Sequence, residues 1–328
     1  MSQHSAILAG FGSQLPEKRL TNEDLAKLVE TNDEWIVQRT GIRERRIAGE
    51  GESTATLATA AARKAIESAG LNPKDIDLIV CATITPEMVF PSTACFIGAA
   101  LGIGGVPAFD MQAACSGFIY ALVTGASFVR SGQYKNVLVI GAETLSRITD
   151  YTDRGSCILF GDGAGAVVVQ RSADPNRGLL FSSLHADGNG ADAMKCIPGS
   201  RFPITAQMLA ERKNFMTLKG REVYKFAVTK FEELIREGMR ACELTPEQVK
   251  LIVPHQVNQR IIDSAMEKLE MPLSKAFVNI DKYGNTSAAS IPIALDEAVK
   301  TGRLAKGDPI IFVAFGGGLT WANAVVKF

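Results

Sequence analysis

Two similar α/β halves, each built round a central sheet, are predicted by three features of this 328-residue sequence. The stretch Pro73-Lys74-Asp75-Ile76-Asp77-Leu78-Ile79-Val80 returns as Pro246-Glu247-Gln248-Val249-Lys250-Leu251-Ile252-Val253, each copy reading as a loop into a buried strand behind a helical segment. The same offset of 173 residues carries the run at Cys115 onto Ala288-Ala289-Ser290-Ile291-Pro292-Ile293-Ala294-Leu295, a second small-residue entry into an apolar helix. Each copy then closes on a β-rich piece, Gly163 to Val169 in the first and Trp321 to Val326 in the second. Separate segments in one register indicate duplication within a chain, and we place the halves at 1–174 and 175–328.

Between these marks, apolar residues at helical spacing predict helices over Ser53 to Ser68, Arg221 to Arg240 and Gln256 to Leu269. In the last of these Ile261, Ile262, Ala265, Met266 and Leu269 form the buried stripe, which leaves Arg260 and Lys268 on or beside the solvent face. Short β-branched runs, Val137 to Ile140 and Ile310 to Val313, predict buried strands, and their alternation with helices predicts α/β layers. Asp187 to Gly220, rich in glycine and proline, reads as an irregular excursion placed to cover an entrance.

The composition narrows the function. With 46% hydrophobic and 21% charged residues the chain has ample material for a packed core. Its 35 basic and 35 acidic residues cancel, which disfavours bulk binding to nucleic acid or to an anionic membrane. Met1-Ser2-Gln3-His4-Ser5 lacks the basic region of a secretion signal and no apolar run reaches membrane-spanning length, so a cytoplasmic location is expected. The six cysteines show neither paired spacing nor metal-type spacing to the three histidines, and no metal is expected. Cys81, Cys95, Cys157 and Cys242 lie in apolar patterns and read as buried small hydrophobes.

Cys115 is different. It sits in Asp110-Met111-Gln112-Ala113-Ala114-Cys115-Ser116-Gly117-Phe118-Ile119-Tyr120-Ala121-Leu122, a strand-like approach that turns into a helical pattern. A helix start favours thiolate over thiol, which makes Cys115 a candidate nucleophile, although a structural thiol fits that place equally well. His255 follows the buried strand Leu251-Ile252-Val253-Pro254 and so emerges at a strand's carboxyl end, where α/β proteins place their sites. Asn285 in Tyr283-Gly284-Asn285-Thr286-Ser287 reads either as a turn residue or as an amide donor. Gly161 to Gly165 is no dinucleotide loop, because valines of a strand follow it. Gly316-Gly317-Gly318, directly after Ile310 to Phe315, marks a close backbone approach or a tight turn.

Seven ordered motifs then carry a resemblance that runs from the first strand to Phe328: Thr31-Asn32-Asp33-Glu34-Trp35-Ile36-Val37-Gln38-Arg39-Thr40-Gly41-Ile42, the Cys115 run, Thr152-Asp153-Arg154-Gly155, Gly161-Asp162-Gly163-Ala164-Gly165-Ala166, Pro254-His255-Gln256, Tyr283 to Ser287 and Phe315 to Gly318. On these the chain resembles the β-ketoacyl-acyl carrier protein synthase III family, condensing enzymes that initiate type II fatty acid synthesis. The resemblance implies a thiolase-like fold, two similar halves stacked as a five-layer αβαβα sandwich, in a homodimer. It implies that Cys115 accepts an acyl group from acyl-coenzyme A, which is a substrate, with no cofactor permanently bound. Malonyl-acyl carrier protein then loses carbon dioxide, and the enolate, held by N–H donors from His255 and Asn285, attacks the acyl-Cys115 thioester. The tetrahedral oxyanion would lie between the backbone N–H groups of Cys115 and Gly317.

By the same resemblance Trp35 and Arg154 flank the adenine of coenzyme A, Arg39 meets its phosphates, and Asn258 lies on the pantetheine side. Arg221 stands where the family commonly has an asparagine. Arg260, Lys225 and Lys268 would form a basic patch for the acidic carrier protein, although Glu267 stands where relatives often carry another basic residue. Phe90 matches a position that lines the acyl pocket from the neighbouring subunit, and an aromatic there implies a short primer. An enzyme of the same fold making a secondary metabolite from an aromatic or long-chain starter, and a non-catalytic thiolase-like binding partner, are the alternatives.

Overall fold

The computed structural model describes residues 4–328; residues 1–3, part of the opening read above for a secretion signal, lie outside them. Nine strands make the two main sheets: β1 (Ser5–Gln14), β2 (Leu78–Ala82), β3 (Ala108–Met111), β4 (Asn136–Thr144), β5 (Asp162–Ser172), β6 (Gly178–Ala186), β7 (Leu251–Pro254), β8 (Pro309–Gly316) and β9 (Thr320–Lys327). The first sheet runs β1-β5-β4-β2-β3 and the second β7-β8-β9-β6. In the first, β2 lies parallel to β3 and β4, while β5 pairs antiparallel with both β4 and β1. In the second, β7 lies parallel to β8, and β9 pairs antiparallel with both β8 and β6. Strand for strand the second sheet repeats β2-β4-β5-β1. What it lacks is a counterpart of the edge strand β3, in whose place stands an isolated bridge between Ile252 and Ala276.

Six helices cover these sheets, α2 (Thr54–Ser68), α3 (Thr93–Leu101), α4 (Gly117–Arg130), α5 (Gly220–Ala241), α6 (Gln259–Lys268) and α7 (Ser290–Lys300), while α1 (Asp33–Thr40) packs in a separate small core through Ile36 with Leu25, Ile42 and Ile280. Helices α4 and α7 form the middle layer. Phe118, Leu122 and Val129 of α4 and Ile291 and Leu295 of α7 join residues of both sheets in one core. Helices α2 and α3 cover the outer face of the first sheet through Leu57, Ala61, Ala65, Ile66 and Ile97. Phe231, Leu234 and Ile235 of α5, with Ile261, Ile262 and Met266 of α6, do the same for the second. Each fully buried side chain of this size is worth about 1.5–3 kcal/mol of transfer free energy, so the stack of five layers is held mainly by these three interleaved cores.

Local chemistry sets the ends of the elements. Ser53 and Thr56 form a capping box that starts α2 one residue inside the predicted span. Asn258 caps α6 through its side-chain oxygen, so that helix starts at Gln259, three residues later than its apolar pattern suggests. Gly165 in β5 permits the close packing of α7, since a Cβ there would lie 2.7 Å from the backbone of Ile293. That is why glycines and valines follow one another here without any phosphate loop.

The register of the repeat is kept in three dimensions. Residues 78 and 251 begin β2 and β7, residues 117 and 290 begin α4 and α7, and residues 136 and 309 begin β4 and β8. Ala114 and Ser287, again one offset apart, both adopt left-handed backbone, with φ of 46° and 48°. The excursion from Asp187 to Gly220 is more ordered than predicted: it contains a short helix, Ala206–Ala210, and an antiparallel pair, Met194–Cys196 with Met216–Leu218. Cross-strand hydrogen bonds supply an order that the glycine and proline content hides.

Candidate active site

The thiol comes from the first half. Cys115 lies in a tight turn, Ala114–Ser116, directly ahead of α4, and is 5% exposed. Gly316 at the end of β8 presses against it; a Cβ on that glycine would sit 2.6 Å from Cys115 N, so the backbones meet only because the side chain is absent. Burial, with the nearby Glu143 carboxylate adding to it, pushes the Cys115 thiol up to about 12, while the Ser287 hydroxyl pulls the other way. This corrects the expectation of a thiolate favoured by a helix start. The α-helix begins at Gly117, and desolvation opposes the charged form of the sulfur two residues before it.

The imidazole and the amide come from the second half. His255 follows β7, where its N–H donates to Val313 O at 2.8 Å, and its ring meets Phe315 edge-on at 6.0 Å between centroids. Phe315 precedes the glycine that touches Cys115, so imidazole and thiol flank the same end of β8. The ring is fully buried, neither nitrogen has a hydrogen-bond partner among the described residues, and burial lowers its pKa to about 3. A neutral imidazole with both nitrogens uncommitted can donate one hydrogen bond to a ligand without bringing charge. Asn285, also buried, is held by backbone: its N–H donates to Leu159 O at 2.8 Å and its carbonyl accepts from Gly161 N at 3.0 Å. Its Oδ1 accepts from Ser287 N at 2.8 Å, which commits that end of the amide and leaves Nδ2 as the donor.

Beside Cys115 opens a cavity of about 1080 Å³. Its wall includes Thr85, Thr144, Phe160, Met194, Ser287 and Gly317, with Met88 and Val89 at the rim. The excursion contributes Cys196, Pro198, Ile204 and Leu209, which puts this segment over the opening. Phe90 is 81% exposed and does not line the cavity of its own chain.

Away from this cavity, the guanidinium carbons of Arg39 and Arg154 lie 4.9 and 5.0 Å from the Trp35 ring centroid. An aromatic face between two cations suits a nucleotide with its phosphates. Asn258 is committed at both ends of its amide, to Arg260 N at 2.9 Å and Arg39 O at 2.9 Å, and so ties the first-half helix α1 to α6. Arg260, Lys225 and Lys268 are exposed on the packed pair α5 and α6, where Lys268 also faces Glu232 at 3.9 Å. Of the cysteines expected to be buried, Cys95 is exposed and Cys242 half-buried. On α3 it is Ala94, Ile97 and Leu101 that take the inward face.

Two matches to known families cover more than half of the chain: 3-oxoacyl-(acyl-carrier-protein) synthase III over residues 109–188 and the C-terminal domain of the same enzyme over 239–328. A β-ketoacyl-(acyl-carrier-protein) synthase III of Caldanaerobacter subterraneus is 50% identical over 325 residues, covering 99% of this chain and 98% of that protein. The chain belongs to the 3-oxoacyl-(acyl-carrier-protein) synthase III family. The crystal structure of the family member from Aquifex aeolicus superposes with a TM-score of 0.92 at 49% identity, over 98% of this chain and 100% of that one. A priming β-ketosynthase of a polyketide pathway also superposes with a TM-score of 0.92, at 34% identity over 98% and 96% of the two chains. The fold is therefore thiolase-like, and as a synthase III the chain is a condensing acyltransferase of fatty acid biosynthesis.

Within this synthase III, sequence reading passed over two groups at the site. Glu143, at the end of β4, was hidden in an apolar strand pattern. Ser287 closes the motif Tyr283 to Ser287, and the signal that points to it is the 173-residue offset, which makes it the counterpart of Ala114 beside the thiol.

Proposed function

We propose that Cys115 is the nucleophile that takes a short acyl group from acyl-coenzyme A, and that His255 and Asn285 bind the enolate formed from malonyl-acyl carrier protein. The observation that carries this reading is that a buried thiol and a buried imidazole, whose nitrogens have no partner among the described residues, pack against the last residues of β8, Gly316 and Phe315, while Asn285 Oδ1 accepts from Ser287, which lines the cavity beside the thiol. Acyl transfer forms the Cys115 S–C bond and releases coenzyme A. Decarboxylation then delivers an enolate whose carbon attacks the thioester and whose oxygen needs neutral donors. Gly317, on the cavity wall beside Cys115, would join Cys115 N–H in holding the tetrahedral oxyanion.

The Trp35, Arg39 and Arg154 cluster supports coenzyme A recognition, with adenine against the indole and phosphates beside the guanidinium groups. Asn258 would act on that side by holding the main chain of Arg39. Arg260, Lys225 and Lys268 supply the exposed positive charge that an acidic carrier protein requires. A cavity of about 1080 Å³ exceeds what an acetyl group fills. The short-primer reading therefore depends on a homodimer, in which Phe90 of the partner subunit enters that space. No helix among the described residues is long and apolar enough to cross a membrane.

Incubation with acetyl-, isobutyryl- and octanoyl-coenzyme A in competition, read by intact mass and peptide mapping, tests this. A short acyl adduct on Cys115 is expected; an octanoyl adduct in excess would remove the short primer, and no adduct on Cys115 would remove the nucleophile.

A further inference from the structure

Asn285 is placed by its main chain, and the segment that grips it is itself held by a buried cation. Arg45, on the short strand Glu44–Arg46 that pairs with Arg19–Thr21, is fully buried. Its Nη1 donates to Leu20 O and to Asn22 Oδ1, both at 3.0 Å, and its Nη2 donates to Asn22 Oδ1 at 3.0 Å and to Ile158 O at 2.8 Å. No carboxylate pairs with it among the described residues. Glu44 beside it turns to Arg19 at 3.5 Å and Arg46 at 3.7 Å, and Arg45 Nε is buried without a hydrogen-bond partner. Burial lowers the pKa of the guanidinium to about 10 and leaves it charged at neutral pH. A desolvated cation held only by neutral oxygens is costly, so a place that served stability alone would suit an uncharged side chain better.

What the guanidinium offers is a planar fork that fixes separate segments at once. On one side Asn22, whose Nδ2 donates to Asp33 Oδ1 and to Ile42 O at 2.8 Å each, ties it to the first turn of α1. On the other, Ile158 closes the helical turn Arg154–Cys157 and opens the stretch that meets Asn285. There Leu159 O accepts from Asn285 N at 2.8 Å, Gly161 N donates to Asn285 O at 3.0 Å, and Phe160 forms an isolated parallel bridge with Asn285. The stem of Arg45 fills the remaining side. A Cβ on Gly161 would lie 3.1 Å from Arg45 Cβ and 2.2 Å from Tyr283 O. One on Gly284, where φ is 66°, would lie 3.3 Å from Arg45 Cβ and 2.7 Å from Leu159 O. The two backbones therefore meet beside the Arg45 stem with no room to slide. Neighbouring residues tie the same strands together: Arg43 N donates to Asp281 O at 3.0 Å, and the Arg46 guanidinium carbon lies 5.9 Å from the Tyr283 ring centroid.

We propose that Arg45 is a positioning residue for Asn285: its guanidinium fixes residues 158–161, and these fix the main chain from which the Asn285 amide reaches the enolate. This rests on the reading of Asn285 as an enolate donor. Arg45 does not line the cavity, and Cys115 is held separately, by Gly316 and the start of α4. Its loss is therefore felt in condensation and not in acylation of the thiol. A donor displaced by about 1 Å from its working place loses on the order of 10²-fold in rate.

The test compares Arg45→Met with Asn285→Ala in two assays: acetylation of Cys115 by acetyl-coenzyme A, read by intact mass, and condensation with malonyl-acyl carrier protein, both at saturating substrate. Arg45→Met should lower condensation about 10- to 10²-fold and keep the acetylation rate within about threefold. The decisive variant is the double one. If Arg45 acts through Asn285, adding Arg45→Met to Asn285→Ala should lower condensation no further than Asn285→Ala alone, because the group being positioned is gone. Losses that multiply in the double variant, or equal losses of acetylation and condensation in Arg45→Met, would show that Arg45 only supports the fold and overturn the proposal alone. Full condensation in Arg45→Met does the same. Should that variant not fold, as its thermal transition would show, Arg45→Lys takes its place in both assays and in the double variant; it keeps the cation and loses the planar fork, and the same selective loss is expected in smaller measure. Undiminished condensation in Asn285→Ala overturns the Asn285 reading and the positioning role with it.

Discussion

The two halves of this synthase III present the same turn to each other and use it differently. In the first, left-handed Ala114 leads into Cys115 and helix α4; in the second, left-handed Ser287 leads into Ala288 and helix α7. Because φ is 46° at one and 48° at the other, the strained backbone belongs to the scaffold and is no mark of catalysis. Chemistry is written in the side chains, a thiol on one copy and a hydroxyl on the other. The connections diverge as well. After β4 the chain takes residues 145–161 to reach β5, whereas after β8 only 317–319 intervene before β9. After β2 comes a long connection, residues 83–92, of which 84–89 line the cavity, while the corresponding end of β7 turns at once into His255 and the cap of α6. A duplicated frame thus brings two sets of strand ends together, and each half supplies what the other omits.

The sharpest way to break this contrast is to move the thiol. Cys115→Ala should leave no acyl adduct by intact mass and only background turnover. Adding Ala288→Cys should not restore the adduct, because that position is buried against Gly141 and Gly117 of the first half; acylation at residue 288 would show the halves to be interchangeable. Next in size, His255→Ala or Asn285→Ala should keep acyl loading while condensation falls about 10²- to 10³-fold, matching the ~3–4 kcal/mol that one oxyanion-type donor supplies. Equal loss of both half-reactions would contradict the division of labour between halves. Smallest is Arg260→Glu, expected to raise KM for malonyl-acyl carrier protein several-fold and to spare loading from acyl-coenzyme A, as a rim charge does; the two half-reactions assayed separately would show it.

Much of the frame was legible beforehand, since repetition, apolar periodicity and strand composition are local patterns that the chain carries openly. The offset read from Pro73 and Pro246 is the one that begins β2 and β7 at residues 78 and 251. Element ends were less legible: the pattern of α6 runs back to Gln256, but Asn258 caps the helix two residues further on. The ionisation of Cys115 was misread from sequence, because a helix start is visible in a string of residues and desolvation is not.

What sequence by itself determined was the duplicated α/β frame, the family, and the residue types able to do the chemistry. Tertiary structure alone decided which strand ends meet, that Gly316 lets β8 touch Cys115, and that Ser287 lines the same cavity as the thiol. Residues 115 and 143 lie on different elements, and only the packing of two sheets round α4 and α7 buries both, which raises the pKa of each.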